Sequence, residues 1–79
     1  MEPTIDGYLY NATIENWFAG EQIVTGTIFG DRKRRFPDGE RIHTSYIVEQ
    51  VKNPRADIFP FAGDVITRNS RYRIINWRK

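Results

Sequence analysis

Residues 21–29 read Glu21-Gln22-Ile23-Val24-Thr25-Gly26-Thr27-Ile28-Phe29. Two alternating sets run through them. Ile23, Thr25, Thr27 and Phe29 fall on one side of an extended chain, and Val24, Gly26 and Ile28 on the other. β-Branched and aromatic residues at a period of two predict a strand. Gly26 in its middle predicts a bend, a bulge or close approach by another backbone. Gly30-Asp31 ends the strand.

Towards the N-terminus, Ala19-Gly20 makes a tight connection to a run at residues 8–18. There Ala12, Ile14, Asn16 and Phe18 alternate with Thr13, Glu15 and Trp17. Ile14, Trp17 and Phe18 also match helical spacing, but Thr, Asn and aromatic residues are poor helix formers, so a strand is expected. Residues 1–7 contain Pro3 and Gly7 and read as a loosely ordered leader.

Towards the C-terminus, residues 31–40 form a loop. Within it Phe36-Pro37-Asp38-Gly39 reads as a β-turn, with proline presetting φ at the second position. Residues 41–51 predict a long strand. Ile42, Thr44, Tyr46 and Val48 alternate with His43 and Ser45, and then Ile47 and Val51 occupy the opposite face. That switch predicts a bulge or a strand shared between two sheets. Residues 53–63 hold two prolines and Ile58, Phe59 and Phe61, a loop expected to plug one end of the fold. Residues 64–67 and 71–77 predict two strands joined by the short turn Arg68-Asn69-Ser70. Five strands with short connections and no helix predict an all-β protein, a small five-stranded antiparallel barrel of SH3-like or OB-like type.

The chain has 79 residues, enough for one domain spanning 1–79 with a small core. Its 39% hydrophobic and 28% charged residues place it among globular chains rather than disordered ones. Cysteine is absent, which excludes disulfides, thiolate metal sites and a thiol nucleophile. No run approaches the roughly 20 apolar residues of a spanning helix, and Met1-Glu2-Pro3-Thr4 does not read as a secretion signal. No membrane partner is expected.

The formal charge is +2, from twelve basic and ten acidic residues, but it is unevenly spread. Residues 1–31 contain Glu2, Asp6, Glu15, Glu21 and Asp31 and no Lys or Arg. All twelve basic residues follow, nine of them arginine. Arginine presents a planar fork that fits phosphate and carboxylate. Such a distribution points either to phosphate recognition or to pairing of the acidic half with the basic half. Two clusters stand out: Arg32-Lys33-Arg34-Arg35 with Arg41 beyond a turn, and Arg68, Arg71, Arg73, Arg78 and Lys79.

Several of these residues form a pattern: Gly30-Asp31, Arg35-Phe36-Pro37-Asp38-Gly39, Ile42, Thr44-Ser45, Thr67-Arg68-Asn69-Ser70 and Tyr72. Over roughly residues 14 to 76 it resembles a group of short phage and prophage proteins. The resemblance implies a viral accessory protein acting in the cytoplasm of the host cell. The extra basic residues Arg32-Lys33-Arg34 and the stretch from Pro54 to Pro60 depart from the shortest members of that group.

Catalytic constellations are weak. His43, the one imidazole, shares a strand face with Ser45, but a plain surface pair explains that spacing. Asp31, Asp38 and Glu40 sit among arginines, which favours ion pairing over a divalent metal. The glycines lack phosphate-loop spacing. A non-enzymatic binding protein without cofactor or metal is therefore expected. Arg32, Arg34, Arg35 and Arg41 are expected to contact phosphate and Phe36 to stack on a base. Thr44, Ser45, Arg68, Asn69 and Tyr72 are expected to shape the pocket.

By analogy with phage proteins that sequester immune nucleotides, the resemblance makes the expected ligand a nucleotide, such as an immune signal of the host, bound to antagonise host defence. So small a barrel has little interior volume, which favours a homo-oligomer with the ligand between copies. The aromatic content of 14% also fits an anti-CRISPR-like protein inhibitor of a host defence complex. A small nucleic-acid-binding accessory protein is the third reading, for which +2 is a modest charge.

Overall fold

The computed structural model describes residues 3–58 and 60–79. Six strands form one mixed sheet: β1 (Gly7–Asn16), β2 (Gln22–Phe29), β3 (Glu40–His43), β4 (Ile47–Lys52), β5 (Gly63–Thr67) and β6 (Arg71–Ile74). A 3-10 turn, Phe18–Gly20, joins β1 to β2 and places Ala19 and Gly20 at positive φ. The strand order is β3-β2-β1-β6-β5-β4. The all-β class agrees with the sequence reading, and two of its details change. Among the described residues there are six strands, not five, and β1 pairs with β6 in parallel, so the sheet is not wholly antiparallel.

The expected long strand at residues 41–51 is the source of the extra element. It divides into β3 and β4, which lie at opposite ends of the strand order yet are joined by Thr44, Ser45 and Tyr46 alone. In a flat six-stranded sheet those edges would stand about 24 Å apart. The four-residue step from β3 to β4 spans at most about 14 Å. The sheet must therefore coil, and β2 comes into contact with β4. No β3–β4 ladder closes it, so the sheet is a curled, open one rather than a sealed barrel.

The corner is built by Thr44. Its amide donates to the Val24 carbonyl at 2.8 Å, as the next rung of the β2–β3 ladder requires. The Val24 amide then donates to the Thr44 hydroxyl at 3.0 Å. The side chain thus takes the place that the carbonyl of a continuing strand would hold, and the backbone is free to turn.

The concave face buries Leu9, Val24, Ile28, Val65 and Ile74 completely, joined by Ala12, Ile42 and Tyr72. Gly26 lies on this face. A Cβ there would stand 3.3 Å from the Leu9 Cβ and 3.4 Å from the Tyr10 carbonyl oxygen, the close approach its mid-strand position predicts. β1 carries one extra residue between Tyr10 and Thr13, where Asn11 has φ +52. The backbone groups freed by this bulge pair with the C-terminal segment. Ala12 N donates to Asn76 O at 3.0 Å, and Arg78 N donates to Ala12 O at 2.7 Å. The last ladder strand accordingly ends at Ile74, and Trp77 forms an isolated bridge with Ala12.

Three local expectations shift. The turn in the basic loop spans Pro37–Glu40 in place of 36–39: Glu40 N donates to Pro37 O at 3.3 Å, and Gly39 has φ +86 at the third position. Of the residues expected to plug the fold, Ile58 is exposed, and Phe61 packs beneath the Arg73 guanidinium at 4.0 Å. Phe59 lies outside the described residues, as do Met1 and Glu2 of the expected leader. Within that leader Asp6 and Gly7 are buried. Asp6 N donates to Arg71 O at 2.8 Å and Arg71 N to the Asp6 carboxylate at 2.9 Å, which starts the parallel pairing of β1 with β6.

Candidate functional site

The basic loop is organised around one carboxylate. Asp31 is buried, and its oxygens accept from the backbone amides of Arg35 at 2.6 Å, Phe36 at 3.1 Å and Lys33 at 3.3 Å. The Arg35 guanidinium adds a bond at 3.4 Å. Burial pushes the Asp31 carboxyl up. The Arg35 amide and guanidinium, the Phe36 amide and the Arg35 charge outweigh that and hold it below its ordinary value. The same guanidinium donates to the Tyr72 hydroxyl at 2.9 Å and to Ser70 Oγ at 3.4 Å. Burial lowers the Arg35 pKa, but its bonds to Asp31 and Tyr72 raise it by more.

These contacts redirect several residues expected to bind phosphate. Arg35 locks the loop onto β6. Tyr72 is a core residue whose hydroxyl receives Arg35, not a pocket wall. Phe36 is partly buried, packed against the core cluster, with the Arg35 guanidinium over its ring at 5.5 Å. Arg32 pairs with Asp6 at 3.6 Å. Lys33 donates to the carbonyl of Asn69 and to Ser70 Oγ. Arg34 is exposed at φ +54. Asp64, the buried acid of β5, takes Arg71 at 2.8 Å and Arg73 at 3.0 Å. Two acids of the N-terminal half, Asp6 and Asp31, therefore pair with two arginines of the basic loop, and two more arginines serve Asp64. The guanidinium groups do not converge on one surface.

A different set does converge. Thr44, Ser45, Arg68 and Asn69 line one open cleft of about 530 Å³ with Trp17, Ile23, His43 and Tyr46. Each is placed by a separate piece of the fold. Ser45 and Tyr46 sit in the corner between β3 and β4. Arg68 and Asn69 occupy the β5–β6 turn, closed by Thr67 N donating to Ser70 O at 2.9 Å. Trp17 follows β1 at the mouth of the β1–β2 hairpin, where its amide donates to Glu21 O at 2.7 Å. Its indole stacks on His43, with ring centres 5.9 Å apart and planes inclined by 21°. Phe18 makes an edge contact with the indole, the ring centres 5.4 Å apart. Ile23 is buried at the base.

Among the described residues Arg68 makes no ion pair or hydrogen bond, and no hydrogen bond joins His43 to Ser45. The Thr44 hydroxyl is spent on structure, since it accepts from Val24 and donates to Ser45 O at 2.8 Å. Chemically the cleft offers a stacked aromatic wall, one uncommitted guanidinium, a hydroxyl and an amide.

Sequence reasoning singled out Thr44, Ser45, Arg68 and Asn69 together and noted that His43 shares a strand face with Ser45. It missed Trp17 as a wall. The signal was there, since Trp17 occupies an outward position just before the hairpin connection, but its meeting with His43 needs the β1-β2-β3 pairing. Arg41, expected beside Arg35, stands elsewhere. It reaches across β2 to the Asn11 carbonyl at 3.4 Å and lines a second cleft with Asn76, Trp77, Arg78 and Lys79. The residues of Asp31, Asp38 and Glu40 do not assemble a cation site: Asp31 is filled by amides, and the Asp38 carboxylate accepts from Gly30 N at 2.8 Å. Among the described residues no cluster of His, Asp and Glu suits a metal ion, and no helix is long and apolar enough to cross a membrane. No protein-family model, curated protein or solved structure matches the chain.

Proposed function

We propose that this protein binds, without catalysis, a planar ligand bearing phosphate, and that a nucleotide unit occupies the cleft between Trp17 and Arg68. One observation carries the reading: an arginine with no partner among the described residues shares a cleft with the parallel Trp17–His43 stack. Trp17 is 46% exposed, and a base stacked on an exposed aromatic ring is worth roughly 1–3 kcal/mol. Arg68 supplies the bidentate donor for phosphate, with Ser45 and Asn69 beside it. The volume of about 530 Å³ suits one nucleotide rather than a large cofactor. In a phage, which the sequence pattern resembles, such binding would withdraw a nucleotide immune signal in the host cytoplasm. A second copy, covering the open side of the cleft, would complete the enclosure.

The test is a thermal-shift panel of mononucleotides, dinucleotides and cyclic nucleotides at millimolar concentration. A ligand at about 100 times its Kd adds roughly 2.7 kcal/mol, a rise of many degrees for a domain this small. Trp17→Ala and Arg68→Ala should each remove the rise. Absence of a shift with every nucleotide, or a shift unchanged in both variants, overturns the reading.

A protein target of host defence is the second reading. Phe18, in edge contact with Trp17, is 72% exposed, as a hot-spot anchor would be. Loss of target inhibition in Phe18→Ala, with nucleotides inert, would favour it.

A further inference from the structure

The outer face of β1, β2 and β3 continues beyond the cleft. Cross-strand partners share a face, so the register places Tyr8 beside Phe29, Tyr10 and Arg41 on either side of Thr27, and Thr13 and His43 on either side of Thr25. Arg41 and His43 therefore project from the same side of β3, about 7 Å apart along the strand. Phe29 lies about another 7 Å on, measured along β2 from Thr27. Its ring meets that of Tyr10 edge-on at 5.1 Å, and both side chains remain about two-fifths exposed.

Positive charge predominates on this face. Arg41 shares its cleft with Arg78 and Lys79, and none of the three makes an ion pair among the described residues. Glu15 is the one acid of β1–β3 that the register turns outward here, and its carboxylate receives the Thr25 hydroxyl. Exposed rings that alternate with cations outside any ion pair match a strand of bases joined by phosphates, and an acidic or apolar protein surface would not require that alternation.

We infer that the nucleotide unit in the Trp17–Arg68 cleft belongs to a single-stranded nucleic acid. Its chain crosses the outer face of β3, with phosphates towards Arg41, Arg78 and Lys79 and a further base on the Tyr10–Phe29 pair. The inference rests on the cleft reading and extends it from one nucleotide to a polymer. The modest net charge is no obstacle, because Asp6, Asp31 and Asp64 neutralise arginines away from this face. Four cations, Arg41, Arg68, Arg78 and Lys79, would displace counterions, so log K should fall against log salt with a slope of about −3.

The experiment measures fluorescence anisotropy of a labelled oligothymidylate of about 12 nucleotides, a length within the usual single-strand site range. Thymidine monophosphate and a DNA duplex serve as competitors. The oligonucleotide should bind at least about tenfold more tightly than the mononucleotide and the duplex. Phe29→Ala and Arg41→Ala should each weaken it at least about fivefold, as loss of one stacked base or phosphate contact does, and leave mononucleotide affinity unchanged. Arg68→Ala should weaken both ligands. Equal affinity for oligonucleotide and mononucleotide, equal affinity for duplex, or no effect of Phe29→Ala overturns the polymer and leaves the cleft standing. Mononucleotide affinity unmoved by Arg68→Ala overturns the cleft itself. Failure of every nucleic acid to bind removes both, and a host protein captured through Tyr10 and Phe29 in its place would identify the face as a protein-binding surface.

Discussion

Val24 and Thr44 hold each other twice: the Thr44 amide donates to the Val24 carbonyl at 2.8 Å, and the Val24 amide donates to the Thr44 hydroxyl at 3.0 Å. This pair ends β3 and starts the corner that carries the chain across to β4. It also fixes Ser45 and Tyr46 at the rim of the candidate cleft.

Thr44→Val keeps the shape and deletes the acceptor, which leaves the buried Val24 amide without a partner. A loss of about 1–3 kcal/mol is expected. Thr44→Ser retains the hydroxyl and should stay closer to the parent. Urea denaturation with a constant m-value checks both; a Val variant as stable as the parent would show that the hydroxyl does not hold the corner.

Asp31 gives the fold an acid-sensitive element. Its folded pKa lies below the ordinary 3.8, so its contribution to stability is fully present above that value and is lost as pH falls through the lowered folded value. Asp31→Asn should be less stable than the parent by about 2–3 kcal/mol at neutral pH, because three loop amides lose an ionised acceptor. The gap between the two should hold from pH 7 to about 4 and shrink below. Stability curves across that range test it, and a gap that widens in acid would contradict the assignment.

Gly63 sits at φ +152, and a Cβ there would collide with the Val51 carbonyl oxygen and stand 3.1 Å from Lys52 Cα. Both neighbours are backbone of the paired strand and cannot rotate away. Gly63→Ala should cost more than about 3 kcal/mol or prevent folding. Gly26→Ala, with ordinary φ and contacts of 3.3–3.4 Å, should cost only about 1–2 kcal/mol. Comparable losses at the two positions would refute the distinction.

Arg35 and Arg68 should separate stability from binding. Arg35→Ala breaks bonds to Asp31, Ser70 and Tyr72, and since its side chain is 37% exposed the expected loss is only about 1 kcal/mol, a Tm lower by about 4–8 °C. Its nucleotide affinity should match the parent at temperatures where it is folded. Arg68→Ala should shift Tm by less than about 2 °C and lose the ligand-induced rise. Calorimetric scans with and without nucleotide distinguish the pair, and the opposite pattern would return the site to the basic loop.

The alternation at residues 21–29, the glycine at 26 and the turn residues at 68–70 were enough to read β2 and the last hairpin, because strand period and turn chemistry act between neighbours in the chain. Even the change of face within residues 41–51 was visible. What it meant was not: only the pairing shows that the two halves lie on opposite edges of one coiled sheet, since partner choice depends on which apolar faces can be buried together. The parallel pairing of β1 with β6 was hidden for the same reason.

The charged residues divide in the same way. The order of residues alone determined that acids without Lys or Arg fill the first 31 positions and that every arginine follows, and composition that cysteine is absent. It could not say which arginine meets which carboxylate, because ion pairing depends on distance in space and on burial. Asp6, Asp31 and Asp64 claim Arg32, Arg35, Arg71 and Arg73. Arg68 is left beside Trp17 and His43 only because three separate turns and strand ends meet where the sheet curls back on itself.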